Sequence, residues 1–170
     1  MSVRLFDLPL PVLRALRDGD ADTAAVQIGL QIPADFLGNT AIWSFMIDLI
    51  ANRPANAGWT TQGVARDGVV VGNAGFKGAP SGPGEVEIGY FILAAHRGQG
   101  LAVTAVRLLL ERARNEPTVS RVVATIDPDN DPSIAVITRA GFISAGERMH
   151  ERWGRQLLFT YGIRQPPVTD

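Results

Sequence analysis

Between Glu85 and Ile92 the chain alternates: Val86, Ile88, Tyr90 and Ile92 fall on one face of a strand, and Glu85, Glu87, Gly89 and Phe91 on the other. One face is apolar and the other carries two carboxylates and a glycine. A few residues on, the period lengthens. From about Gln99 to Arg114 the spacing predicts an amphipathic helix that buries Leu101, Ala105, Leu108 and Leu109 and leaves Arg107, Glu111 and Arg114 in water. Asn115 and Pro117 stop it. The β-branched run Arg121 to Ile126 predicts a further strand, and strand, helix, strand in that order make a parallel βαβ unit the economical arrangement.

Elsewhere the pattern is less regular. Val3 to Phe6 predicts a first strand, and Pro9 and Pro11 open a helix on which Val12, Leu13 and Leu16 recur at helical spacing. A second helical stretch runs from Asp20 or Asp22 to Ile28, and Ile32-Pro33-Ala34 forms a connection of undefined shape. From Asn39 or Thr40 to Ala51 a capped helix presents Ile42, Phe45, Met46, Leu49 and Ile50 as its apolar face. Trp59 to Ala65 and Val69 to Phe76 then read as strands of a hairpin turning at Arg66-Asp67-Gly68. Residues 77–84 are rich in glycine and proline and predict an exposed, mobile loop. After Ile126, Asp131 is a natural N-cap with Pro132 at the first helical position, and that helix ends at Ala140-Gly141. Phe142 to His150 and Arg155 to Ile163 form a final hairpin turning near Trp153-Gly154. One domain over residues 1–164 is expected, with 165–170 as a polar tail.

The 170 residues are 46% apolar, enough for one substantial core. A formal net charge of −1 removes the simplest argument for a nucleic-acid partner. With no cysteine there is no disulfide, no thiolate metal site and no cysteine nucleophile, and two widely separated histidines give no basis for a metal site. The longest apolar run, AIWSFMIDLI, is far short of the roughly 20 residues of a membrane span. These features predict a soluble cytoplasmic protein with no membrane partner, and they leave monomer and homodimer both open.

Gly98 and Gly100 lie where a helix begins, and the first turn of a helix offers amide N–H groups without intrahelical partners. Such a turn is suited to phosphate. The run Arg97-Gly98-Gln99-Gly100-Leu101-Ala102 resembles the Arg/Gln-x-x-Gly-x-Gly/Ala signature of the GCN5-related N-acetyltransferase (GNAT) superfamily, and it follows a strand written Glu-Ile-Gly-Tyr. Asn130 to Phe142 resembles the Asn-x-x-Ser…Gly-Phe element of the branch that acetylates ribosomal-protein N-termini and small amines. A different dinucleotide binder fits poorly, because the Gly-x-Gly-x-x-Gly form with its following acidic residue is missing.

The resemblance implies an α/β (α+β) fold, with a splayed mixed sheet of about six to seven strands, helices on both faces and acetyl-CoA in the gap. It implies that the amides of Arg97, Gly98, Gln99, Gly100, Leu101 and Ala102 meet the pyrophosphate, with Arg97 adding charge. Backbone at Phe91, Ile92 and Leu93 would pair with the pantetheine arm, and a bulge there would free an N–H for the thioester carbonyl. Asn130 and Ser133 would hydrogen-bond the donor.

Direct transfer to a primary amine, small-molecule or peptide N-terminal, follows from the resemblance, with no metal. Glu87 matches the place of a general base in some members, with Glu85 second, although a carboxylate there can also simply pair with arginine. Ile137 stands where many relatives place the tyrosine that protonates the departing thiolate, leaving Ser133, Asn130 or water. That departure also leaves open an acyl-CoA-binding or regulatory module without efficient chemistry. Trp43 and Trp59 read as core, His96 and His150 as solvent-facing, and Trp153 as a lip of the acceptor site. Arg148, Arg152 and Arg155 read with Glu147 and Glu151 as mixed charged surface.

Overall fold

In the computed structural model, which describes residues 2–163, the strands are β1 (Val3–Asp7), β2 (Thr61–Arg66), β3 (Val69–Phe76), β4 (Glu85–Ile92), β5 (Arg121–Ile126), β6 (Ile143–His150) and β7 (Gly154–Gly162). They form a seven-stranded sheet ordered β1-β2-β3-β4-β5-β7-β6, and it does not close. Only β4 and β5 pair in parallel; every other neighbour is antiparallel. The turn between β2 and β3 has Asp67 at φ 51° and Gly68 at φ 85°, the two left-handed residues that the Asp-Gly signal anticipates.

Helices cover both faces. The helices α1 (Leu10–Arg17), α2 (Ala21–Ile28), α3 (Ala34–Leu37) and α4 (Thr40–Asn52) bury Leu13, Leu16, Phe36 and Trp43 against one face, with Phe6, Val70 and Leu93. On the other face α5 (Leu101–Arg114) and α6 (Asp131–Ala140) meet Val86, Ile88, Ile92 and Val122. The undefined connection at Pro33 contains α3, a single turn held by Phe36, whose ring lies 4.9 Å from that of Trp43.

Several expectations shift by a fraction of a turn. On α5 the buried stripe is Val103, Ala105, Val106, Leu109 and Leu110 with Leu101, and Leu108 is only half-buried, since the helix packs between the sheet and α6. On α4 the core takes Trp43 and Met46, whereas Phe45 turns out, 49% exposed. Trp59 is half-buried, its ring edge-on to Phe76. Asn130, not Asp131, caps α6, its side-chain oxygen accepting the Ser133 N–H at 3.2 Å. Residues 77–84 are held at both ends. The Asn56 side chain accepts the Ala79 amide at 2.9 Å, and the Ser120 hydroxyl donates to the Pro83 carbonyl at 2.6 Å. The tail 165–170 lies outside the described residues.

Close backbone contact holds β3 against β4. A Cβ at Gly72 would collide with the Phe91 carbonyl oxygen. Gly72→Ala is therefore expected to destabilise the protein by about 1–3 kcal/mol, lowering the thermal midpoint by roughly 2–4 °C per kcal/mol in a calorimetric scan.

Candidate active site

The site begins where two strands part. The parallel ladder from β4 to β5 runs from Glu85↔Arg121 to Glu87↔Val123 and ends there, while β4 stays paired to β3 as far as Ile92. Lys77 donates its amide to the Glu87 carbonyl and Leu93 donates its amide to the Val71 carbonyl, so odd-numbered residues of β4 serve β3. Antiparallel alternation turns the N–H and C=O of Tyr90 and the N–H of Ile92 toward the gap. The splay expected from the resemblance is present. Two corrections follow. The β3–β4 register is unbroken from Gly72↔Ile92 to Phe76↔Ile88, so no bulge interrupts β4. The backbone of Phe91 faces β3, and that of Leu93 is engaged, its N–H by Val71 and its C=O by the His96 amide.

Below the gap, Gly98 (φ 73°) and Gly100 (φ 75°) make the turn into α5. Both are left-handed positions, and beside each an added Cβ would meet nothing within 4 Å, so conformation demands the glycines while the space over them is open. No side chain caps the helix, and its first turn carries no acidic residue; Thr104 makes the first helical bond, to Gly100. The amides of that turn are thus free to take an anion, favoured by the helix dipole.

A cleft of about 480 Å³ runs over this turn, lined among others by Tyr90, Phe91, Ile92, Arg97, Gly98, Gly100, Leu101, Ala102, Asn130 and Ser133, so Phe91 borders it although its backbone serves β3. Arg97 is no loose loop arginine, since its Nε donates to the Ile92 carbonyl at 2.9 Å and its guanidinium lies over the Phe91 ring. The Gln99 side chain points elsewhere, accepting from Arg66 at 2.5 Å. Leu93 is 3% exposed and belongs to the core. His96, expected to face solvent, is half-buried in the cleft wall, and Arg139 of α6 supplies a second cation there. This cleft, with uncapped helix-terminal amides and two arginines, has the charge to favour an anionic ligand.

A second cleft of about 550 Å³ adjoins it on the polar face of β4, and Tyr90, Asn130 and Ser133 line both. Its walls include Glu87, Lys77 and Thr125, with Phe45, His150 and Trp153 at the mouth. Glu87 Oε1 accepts from Lys77 Nζ at 2.7 Å and from the Thr125 hydroxyl at 2.6 Å. Arg148, expected in a surface network, instead bridges both strand carboxylates, 3.2 Å from Glu85 and 3.8 Å from Glu87; Arg121 completes the Glu85 pair at 2.8 Å. Burial pushes the Glu87 carboxyl upward, the largest single influence, but Lys77, the Thr125 hydroxyl and Arg148 together hold it below the usual glutamate range. Glu87 is an anion at neutral pH.

Ser133 and Tyr90 meet where the clefts join, the tyrosine hydroxyl donating to the Ser133 carbonyl at 3.1 Å. Burial raises the Tyr90 pKa against the opposing pull of that bond, so the phenol keeps its proton. Ile137 is fully buried in the core and contributes nothing to either cleft. His150 is exposed, and its Nδ1 accepts the amides of Arg152 and Trp153, shaping the hairpin tip that carries Trp153 over the pocket. Reading the sequence missed Lys77, Thr125, Phe45 and Arg139. A signal existed for the first, since Lys77 is the single lysine among 16 lysine and arginine residues. The others stand out only once the fold brings them to the clefts.

Comparison with known proteins places this geometry. The acetyltransferase (GNAT) domain family matches residues 12–143. The uncharacterized N-acetyltransferase YjdG of Bacillus subtilis is 38% identical over 74 residues, 44% of this chain and 44% of YjdG. Across YjdG and two further Bacillus relatives, the matched stretch spans between 33% and 52% of the relative's length. The L-methionine sulfoximine/L-methionine sulfone acetyltransferase of Pseudomonas aeruginosa is 34% identical over 158 residues, covering 84% of this chain and 90% of that protein. Among solved structures, aminoglycoside acetyltransferase AAC(6′)-Ib in complex with coenzyme A shares the fold with a TM-score of 0.68 at 18% identity, covering 95% of each chain. Mycobacterium smegmatis RimJ in complex with CoA-disulfide does so at 0.67 and 22% identity, covering 94% of this chain and 81% of RimJ. With the acetyltransferase (GNAT) domain matched across residues 12–143, most of the chain, this protein belongs to the GNAT acetyltransferase family.

Proposed function

We propose that the protein is an acetyl-CoA-dependent N-acetyltransferase, carrying an acetyl group directly to a primary amine of a small molecule or a protein N-terminus within a ternary complex. The observation that carries this reading is the junction of the clefts. A phosphate-type turn leads along an unpaired strand edge to Tyr90, Asn130 and Ser133, and a carboxylate-lined pocket opens from the same three residues. With no cysteine in the chain, an acyl-cysteine intermediate is excluded, which favours both substrates binding together.

In this reading the uncapped first turn of α5, with Arg97 and Arg139, holds the phosphates, and the free edge at Tyr90 and Ile92 hydrogen-bonds the pantetheine arm as a further strand. Acetyl-CoA supplies the activated acetyl group. Glu87 attracts the acceptor's ammonium and takes its proton, directly or through water, so that a neutral amine attacks. Ser133, at the junction, is the proton donor to the departing sulfur, in place of the tyrosine that Ile137 replaces. The breadth of the second cleft, with Phe45 and Trp153 at its mouth, suits an amine with an apolar portion. The relative that acetylates methionine sulfoximine and methionine sulfone makes amino-acid amines the first acceptors to test, followed by dipeptides and aminoglycosides.

Calorimetric titration with acetyl-CoA is expected to show binding in the micromolar range. Gly100→Ala, which sets a methyl group in the open space over the turn where the phosphates would lie, should weaken binding roughly tenfold. Absence of binding at high micromolar donor would overturn the assignment, and binding without free-thiol release for any amine would mark a non-catalytic acyl-CoA-binding module.

Glu87→Gln is expected to lower kcat by about 10²-fold or more while leaving donor affinity near its original value. Because Glu87 is ionised well below neutrality, the rise of kcat/KM toward alkaline pH should follow the acceptor's ammonium and shift when the acceptor is changed. The same carboxylate affects stability. Its folded pKa lies below an unfolded value of about 4.3, so its contribution is present above that value and is lost as pH falls through the folded one. Urea midpoints measured between pH 6 and pH 3 should therefore fall more steeply for the native protein than for Glu87→Gln, to an extent muted by partial solvent exposure.

A further inference from the structure

The amine nearest the proposed base is the protein's own. Lys77 follows the last residue of β3, and its chain crosses the polar face of β4 above Gly89, where an added Cβ would press the Lys77 Cε at 3.2 Å. Its Nζ ends 2.7 Å from Glu87 Oε1, inside the pocket that opens from Tyr90, Asn130 and Ser133. The side chain is 37% exposed, so it is not locked in the core. Every other cationic side chain of the Lys+Arg set is an arginine, and arginine keeps its proton at any accessible pH and cannot serve as an acyl acceptor. The one side-chain amine in the chain is placed on the carboxylate proposed as the base.

We propose that Lys77 is an acetylation site of this protein, modified in cis by its own active centre when donor is bound and no other amine fills the pocket. The inference rests on the acetyltransferase reading above. The Lys77 ammonium gives up a proton through Glu87 to solvent, and its neutral Nζ attacks the thioester carbonyl of acetyl-CoA. A carbon–nitrogen bond forms, the carbon–sulfur bond breaks, and the departing thiolate takes a proton from the Ser133 side of the junction or from water. A second proton leaves the nitrogen as the amide forms, so the balance is one ammonium and one thioester giving one acetamide, one free thiol and one proton. The product has lost its charge, and Glu87 has lost its closest cation. An acceptor ammonium that binds Glu87 displaces Lys77 and protects it, which makes the modification a report of acceptor scarcity.

The intact protein is incubated with acetyl-CoA alone and followed by mass spectrometry with peptide mapping. One acetyl group per chain is expected on Lys77, with a rate that falls severalfold when excess coenzyme A competes for the donor cleft and falls again with any amine the protein turns over. Lys77→Arg, which keeps the charge, should acquire no acetyl group in that peptide, and Glu87→Gln should slow modification of the folded protein at least about tenfold. An unmodified Lys77 in a protein that binds acetyl-CoA and acetylates an added amine overturns this inference and leaves the proposed function standing. Modification at a rate insensitive to coenzyme A overturns it as well, being simple chemical acetylation. A protein that binds no acetyl-CoA removes both.

Discussion

The parting of β4 from β5 after Glu87 is the constraint on which the rest of the molecule turns. Backbone N–H and C=O groups rarely go without partners inside a folded protein, yet beyond this point β4 is paired on one side only. What makes the opening tolerable is that both strands are secured elsewhere. β4 stays bonded to β3 as far as Ile92, and β5 is laddered to β7 along its whole length, from Arg121↔Gly162 to Ile126↔Leu157. α5 and α6 bury their apolar stripes under the two halves, so the gap is framed by packed structure. An exposed strand edge is ordinarily an aggregation hazard. Here that edge lines a cleft framed by α5 and α6 and does not lie on the open rim of the sheet.

The electrostatics of the two clefts divide along the same line. The cleft over the start of α5 offers helix-terminal amides with Arg97 and Arg139, a field suited to an anion. The polar face of β4 centres on Glu85 and Glu87, and those carboxylates are not left bare: Lys77, Arg121 and Arg148 neutralise them. Two like charges on one strand face would otherwise repel each other during folding and in the empty site. Each partner is at least partly exposed, so screening limits what these pairs add to stability. Their consequence is electrostatic: Glu87 is ionised at neutral pH and held in place by Lys77 and the Thr125 hydroxyl.

Arg148 shows how distant parts of the chain converge on this point. It belongs to β6, one of the two edge strands, whose residues are all exposed, and it reaches Glu85 and Glu87 on the polar face of β4. The same hairpin carries His150 and Trp153 to the pocket mouth, with Phe45 of α4 joining them. The second cleft is thus assembled from α4, the β3–β4 region, β5 with the start of α6, and the final hairpin, whereas the first comes chiefly from the stretch 90–103.

That difference explains what could be read from residues alone. Local rules settle local structure: the Asp67-Gly68 turn, the alternation along β4 and the glycine-bearing start of α5 each follow from conformational preference or period over a few residues, and the donor cleft is built mostly from the last two. Sequence by itself also determined that no cysteine chemistry operates and that one lysine stands alone. Tertiary structure decided which face of α4 is buried, so that Phe45 lines a pocket while Trp43 enters the core. It also decided that Asn130 caps α6 and that Arg148 and Lys77 converge on Glu87. Those outcomes depend on pairing between segments far apart in the chain, where packing and charge neutralisation outweigh any short-range preference. A strand's period says which residues share a face, but only the neighbouring strands and helices decide what that face meets.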